Sequence, residues 1–251
     1  MRQFDKIKQL IEEGISRYNI LEKEDRILAA ISGGKDSLTM LYALSILQKK
    51  AAFPFEVVAI NIKTDFHCGS CMHSQILVDI FESLGLKYYF KEIKVLDEKK
   101  TTSCFWCSWN RRKCLFETAE DLGCNKVALG HHKDDIVETI LLNLFYKGEV
   151  AAMKPSQELF GGKIKLIRPL CLVEEQRIIE FANENNFPKQ LCRCPFGAAS
   201  KRKEMKTIIK EFSEAFPEID IRQNIFNSVS DGNLLSGTVE SDLGCLVGGK
   251  R

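Results

Sequence analysis

Three groups of side chains in this chain have the types and spacing to do chemistry. They are the turn Ser32-Gly33-Gly34-Lys35-Asp36-Ser37, the turn Gly130-His131-His132-Lys133-Asp134-Asp135, and the close cysteine pairs Cys104/Cys107 and Cys192/Cys194. The first lies between the apolar run Ile27 to Ile31 and the apolar-periodic segment Leu38, Leu41, Leu44 and Leu47, so a strand enters a glycine turn and a helix leaves it. The unpaired amides of the first helical turn, the helix dipole and Lys35 all converge on one small volume, whose natural occupant is a phosphate group. Gly33 and Gly34 let backbone approach a ligand closely, Ser32 and Ser37 offer hydroxyls, and Ala30 ends the strand that leads into the turn.

The second turn opens a helix, where paired aspartates commonly serve as caps. On a ligand-bearing face opposite a phosphate turn, Asp134 or Asp135 is better placed to hold Mg²⁺, which favours carboxylates together with phosphate oxygens. Adjacent histidines project in different directions, so His131 or His132 shapes a nucleotide pocket and the pair does not share a metal.

In Cys104-Phe105-Trp106-Cys107 the i, i+3 spacing puts both sulfurs on one side of a helical turn. In Cys192-Arg193-Cys194-Pro195 the proline keeps the segment extended and the two thiols face the same way. Together they suit zinc on four thiolates, or an iron–sulfur cluster on three, and the spacing does not choose. Cys114, about 10 Å further along the helix than Cys107, is too far to share a metal. Cys114, Cys124 and Cys171 are expected in or near the core, and Cys245 in a mobile glycine-rich tail. Cys68 and Cys71, flanked by His67 and His73, would make an auxiliary metal or sulfur-relay site; surface thiols are the plainer reading.

The elements that must hold these groups read as an α/β fold. Phe4, Ile7, Leu10, Ile11, Ile15 and Tyr18 mark one face of an amphipathic N-terminal helix. Phe55 to Ile62 is almost continuously apolar, as strands buried on both faces of a parallel sheet are. Further strands near 88–93, 126–129 and 163–167 alternate with helical patterns near 74–84, 107–122, 135–146 and 174–185. That alternation predicts a doubly wound, mainly parallel five-stranded sheet with flanking helices, with the loops starting at Ser32, Lys63, Lys94 and Gly130 on one ligand face. The expected organisation is an N-terminal helix over 1–25, a nucleotide-binding α/β domain over 26–185, and a cysteine-bearing, basic helical extension over 186–251.

The chain has 251 residues, 45% of them hydrophobic, enough for one sizeable core. No apolar run approaches the ~20 residues of a membrane span, and the first residues carry both charge signs, which argues against export. Ten cysteines, several in close pairs, point to metal or sulfur chemistry in a reducing, cytoplasmic setting. A net charge of +2 leaves nucleic acid to local patches: Arg111-Arg112-Lys113, and Lys201-Arg202-Lys203 followed by Lys206 and Lys210. Trp106 and Trp109 are candidates for stacking on a flipped base or for shielding a cluster from water.

The turn at 32–37 lacks the glycine spacing of a Walker A loop, and Asp36 follows its lysine. It resembles the PP-loop of ATP pyrophosphatases, which split ATP between the α and β phosphates. Joined with Thr101-Thr-Ser-Cys-Phe-Trp-Cys-Ser-Trp-Asn-Arg-Arg112, the G-H-H-K-D-D-I-V-E-T-I-L-L-N-L-F-Y run from Gly130, I-R-P-L from Ile167 and a C-x-C ahead of a basic helix, it resembles the TtcA family of tRNA 2-thiocytidine synthetases over residues 5–230. The resemblance implies a homodimeric enzyme that binds ATP and Mg²⁺ and adenylates the C2 oxygen of the cytidine at tRNA position 32. Sulfur from a cysteine desulfurase or free sulfide then replaces that oxygen.

It further implies a [4Fe-4S] cluster on Cys104, Cys107 and Cys194, with Cys192 the alternative third ligand because C-x-C stands where the family shows C-x-x-C. An open iron position would take up the incoming sulfur. Lys35, Ser37 and the amides of Gly33 and Gly34 would hold pyrophosphate, Asp36 with Asp134 or Asp135 would hold Mg²⁺, and Arg111 would steer the nucleotide. Three rivals share parts of this pattern: a PP-loop sulfurtransferase working by cysteine persulfide and disulfide without a cluster, a lysidine synthetase-like ligase, and a non-catalytic redox-sensing module.

Overall fold

The computed structural model describes residues 3–66, 74–188 and 201–230. Its strands are β1 (Arg26–Ala30), β2 (Glu56–Thr64), β3 (Lys87–Ile93), β4 (Lys126–Ala128), β5 (Ser156–Leu159) and β6 (Ile164–Ile167). Its helices are α1 (Gln3–Tyr18), α2 (Lys35–Lys50), α3 (Ser74–Leu84), α4 (Cys104–Asp121), α5 (Lys133–Lys147), α6 (Glu175–Glu184), α7 (Lys201–Ala215) and α8 (Ile221–Ser230).

The strands form one six-stranded sheet in the order β3-β2-β1-β4-β6-β5. All neighbours pair in parallel except β5, which runs antiparallel to β6. Five strands were expected; the sixth, Ser-Gln-Glu-Leu, is a short polar edge strand with no apolar alternation to announce it. It turns back into β6 through Phe160–Gly162, where Gly161 and Gly162 take φ of 67° and 88°. Central β1 and β2 are buried along most of their length, the parallel-sheet consequence of helices on both faces. Leu28, Val58, Ile60, Val127 and Leu166 pack with Leu115 and Ala119 of α4 in one cluster.

One buried charge is structural. Lys126 Nζ meets Asp25 at 2.6 Å with both side chains almost fully enclosed, and donates to the carbonyl of Ile20, tying the start of β4 to the turn before β1.

The chain divides into two compact units, 1–133 with 155–198, and 134–154 with 199–251. The first holds the sheet. The second groups α5, from Asp134 onward, with α7 and α8, a grouping the linear reading did not contain. The C-terminal tail and the segments bearing Cys68, Cys71, Cys192 and Cys194 lie outside the described residues. Among the described residues no helix is long and apolar enough to cross a membrane.

Candidate functional site

The phosphate turn joins β1 to α2 inside the first unit. Gly33 adopts φ of 86°, a left-handed conformation open to glycine at no cost. Gly34 caps α2 in an extended conformation without any side-chain hydrogen bond to the helix amides, so the first-turn N–H groups keep their capacity for an anion. The turn is braced from behind. Ser37 Oγ donates to the carbonyl of Gly34 at 2.9 Å and lies 3.2 Å from Ser32 Oγ, which accepts from the amide of Gly34 at 3.3 Å. Asn61 of β2 donates to the carbonyl of Ile31 at 2.7 Å, fixing the strand end from its neighbour.

The second turn closes on the first from the end of β4. Gly130 is placed so that a Cβ would stand 3.0 Å from the carbonyl carbon of Asp36 and from the N and Cα of Ser37, a backbone-to-backbone approach that only glycine allows. Buried His132 brings Nε2 to 3.8 Å from Asp36 Oδ1. His131 receives a hydrogen bond at Nδ1 from Nε of Arg168, 3.3 Å away. A guanidinium only donates, so Nδ1 is the acceptor in this bond and the ring is oriented by it.

Lys35 bonds Asp36 Oδ1 at 2.8 Å and Glu175 Oε1, at the start of α6, at 3.1 Å. Burial pulls its ammonium down, but the hydrogen bond and charge of Asp36, with those of Glu175, outweigh it and hold Lys35 above the ordinary lysine value. Next to it Lys133 donates its amide to Val173 and pairs with Glu174 at 3.4 Å. Glu174, Glu175 and Asn61 carry no motif of their own. The pairing of Lys35 with Glu175 spans 140 residues, beyond any spacing rule, whereas Arg168 sits in the I-R-P-L run.

The paired aspartates, expected to offer a Mg²⁺ ligand, each meet an arginine. In the second unit Asp135 accepts from Arg202 at 2.9 Å, with Thr139 and Glu138 at 3.2 and 3.7 Å from the same guanidinium. Asp134 accepts from Arg222 of α8 at 3.1 Å. Both carboxylates therefore hold α7 and α8 onto α5. Arg202, a candidate RNA contact, is engaged in this packing, and Lys201 lies 4.0 Å from the Tyr146 ring centroid; Lys203 is exposed.

Cys104 and Cys107 stand in the first turn of α4, whose N-cap Ser103 accepts from the amide of Trp106. Cys104 is exposed and Cys107 half-buried. They suit two ligand positions of a shared metal group, and the helix dipole favours the negative charge such a group carries. Among the described residues no three Cys, His, Asp or Glu side chains gather as a metal site; the candidates for a third thiolate, Cys194 and Cys192, lie outside them. Asp36, one-third exposed beside the phosphate turn, suits a Mg²⁺ carboxylate ligand. Cys171 is fully buried, which pushes its thiol up to about 12, and Cys124 is raised by burial as well, so both are inert core side chains. Arg111, Arg112 and Lys113 are all exposed on α4.

A mainly parallel sheet with an uncapped Gly-Gly-Lys-Asp turn at the carboxyl end of a central strand defines a PP-loop protein, and the PP-loop domain model matches residues 2–188. The tRNA-cytidine(32) 2-sulfurtransferase of Syntrophotalea carbinolica is 37% identical over 230 residues, covering 87% of this chain and 86% of that protein. Its counterpart in Geobacter metallireducens is 36% identical over 226 residues, 87% of each. The fold matches the U34-tRNA thiolase NcsA of Methanococcus maripaludis, solved with its [4Fe-4S] cluster, with a TM-score of 0.76 at 22% identity over 94% of this chain and 80% of that one. The chain belongs to the tRNA-cytidine(32) 2-sulfurtransferase family of PP-loop enzymes.

Proposed function

We propose that this chain activates a cytidine of tRNA with ATP and exchanges its C2 oxygen for sulfur. The observation that carries the reading is the uncapped start of α2, with Lys35 and Asp36 beside it and the Gly130-His131-His132 turn closed against it. Amides of the Gly33-Gly34 turn, Ser37 and Lys35 hold the β and γ phosphates. The C2 oxygen of the base attacks the α phosphorus, and pyrophosphate leaves with the electron pair of the broken P–O bond. A sulfur nucleophile then attacks C2, and AMP departs with the former C2 oxygen.

Lys35 is charged throughout this sequence, since Asp36 and Glu175 hold its proton, and it exchanges carboxylate partners for phosphate oxygens as ATP enters. His131, oriented by Arg168, lines the turn that closes on the phosphate turn. Asp36 is the carboxylate of this unit that would hold Mg²⁺, which offsets charge on the leaving pyrophosphate. Cys104, Cys107 and a third cysteine would hold a [4Fe-4S] cluster, which would supply an iron with an open position for sulfur. Arg111 sits one helical turn beyond Cys107 on the same side of α4, a position suited to steering the activated nucleotide. A cysteine desulfurase or free sulfide as donor, a homodimer and a cytoplasmic setting complete the reading.

The test is anaerobic turnover of the full chain with ATP, Mg²⁺, sulfide and a tRNA transcript. AMP and pyrophosphate should form only when tRNA is present, and Asp36→Ala should abolish both. Pyrophosphate release that ignores tRNA, or survives Asp36→Ala, refutes the adenylation step.

A further inference from the structure

Both tryptophans of the chain lie on α4, and they lie on each other. The rings of Trp106 and Trp109 stack with centroids 5.5 Å apart and planes 7° from parallel, and Lys113 Nζ stands 5.7 Å from the Trp109 centroid. Successive helical residues are rotated by roughly 100°, so Trp106, Trp109 and Lys113 form one column, turned by about 160° from the side that carries Cys104, Cys107 and Arg111. Leu115, Thr118 and Ala119, the buried residues of α4, belong to the cysteine side. The tryptophan column therefore lies away from the buried side of α4, with Trp106 exposed and Trp109 half-buried.

Trp106 is 48% exposed. Trp109 stacks on Trp106 and has Lys113, one turn further on, over its ring; among the described residues no other ring stacks on Trp106. Two large rings away from the buried side of a helix leave apolar surface in water, and burying them against the core would have been the favoured alternative. What the arrangement offers is a π-face backed by a cation. The first 13 residues of α4, Cys104 to Phe116, carry Arg111, Arg112 and Lys113 and no acidic residue. Lys113 has one weak, solvent-exposed contact of 3.7 Å with Glu117.

We infer that Trp106 and Trp109 form a stacking platform for an unpaired nucleobase of the RNA substrate other than the base undergoing chemistry, with Arg112 and Lys113 taking the adjoining phosphates. This rests on the proposal that the chain acts on tRNA, and it places a second grip on the opposite side of the helix that carries the cysteines. An unstacked loop base meets an aromatic ring without regard to sequence, while the flanking cations read the backbone. The platform thus holds the anticodon-loop region in register and leaves the reacting cytidine to the nucleotide site.

Because both tryptophans of the chain belong to this pair, emission excited selectively at tryptophan reports the platform. The experiment titrates anaerobically purified full-length protein with an unmodified tRNA transcript, following tryptophan emission and, separately, binding by filter retention. The inference expects quenching that saturates with binding, about tenfold weaker binding in Trp106→Ala, and near wild-type binding in Trp106→Phe, which keeps a stacking ring. Circular dichroism confirms that each variant is folded. Binding with unchanged emission, or Trp106→Ala binding as tightly as wild type, overturns the platform and leaves the tRNA reading standing. Failure of the wild-type chain to bind tRNA overturns both.

Discussion

Gly130→Ala tests the closest contact in the nucleotide site. The added Cβ would stand 3.0 Å from three backbone atoms of Asp36 and Ser37. Ordinary carbon contacts lie near ~3.5–4.0 Å, so the end of β4 and the start of α2 must part by about 0.5 Å. No flexible side chain can yield in their place, because every atom met belongs to the backbone. Overpacking of this kind costs about 1–3 kcal/mol, a fall in melting temperature of about 2–12 °C for a chain of this size. The same displacement moves the first-turn amides off the phosphates, weakening charge-assisted hydrogen bonds and raising KM for ATP by about tenfold. Gly14→Ala is the control. Its Cβ would meet Cys171 Sγ at 3.3 Å in the core, so it should lower the melting temperature while leaving KM for ATP unchanged. Calorimetry and steady-state pyrophosphate release measure both effects. A Gly130→Ala protein with wild-type melting and wild-type KM refutes the reasoning, as does a KM matching that of Gly14→Ala.

Lys35→Met should lower the rate of tRNA-dependent pyrophosphate release by roughly 10²–10³-fold while leaving tRNA binding intact, since it removes a charge aimed at the phosphates. The same variant carries a pH signature. Lys35 titrates above its ordinary 10.5, so its pairing stabilises the fold fully below that value and the benefit disappears as pH rises through the folded-state value. The melting difference between wild type and Lys35→Met should be constant over about pH 7 to 9 and shrink in the more alkaline range. Arg202→Met should loosen α7 by about 1–2 kcal/mol through its lost bonds to Asp135 and Thr139, detectable as faster amide exchange in α7 and α8 and not as a change in the sheet. Cys104→Ala should lose most of the iron and acid-labile sulfide found in anaerobically purified wild type; equal iron in both, or none in either, removes Cys104 from the ligand set.

The turn at 32–37 and the parallel strands were legible because each rests on local physics: a glycine pair before a lysine, or an apolar run long enough to cross a sheet buried on both faces. The same holds for α4, though its start at Cys104, three residues ahead of the expected helix, is set by the Ser103 cap. Three features were hidden. Edge strand β5 pairs on one side only and tolerates polar residues, so it leaves no alternation to read. Partners such as Lys35 with Glu175 and Asp135 with Arg202 meet only after the chain has folded, and no sequence spacing encodes them. For Asp134 and Asp135 the local motif pointed to a metal, while arginines from two later helices supply the opposite charge. The side of α4 taken by Trp106 and Trp109 follows from which residues of that helix the core claims, a question that periodicity poses and only packing answers.

Nucleoside mass spectrometry tests the central claim most directly. The full chain, purified without oxygen, is incubated with a tRNA transcript, ATP, Mg²⁺ and sulfide, and the RNA is digested and analysed. The account predicts 2-thiocytidine formed one for one with AMP, absent without ATP and absent in Asp36→Ala. AMP and pyrophosphate accumulating over unmodified RNA, or thiolated cytidine appearing without ATP, would contradict it.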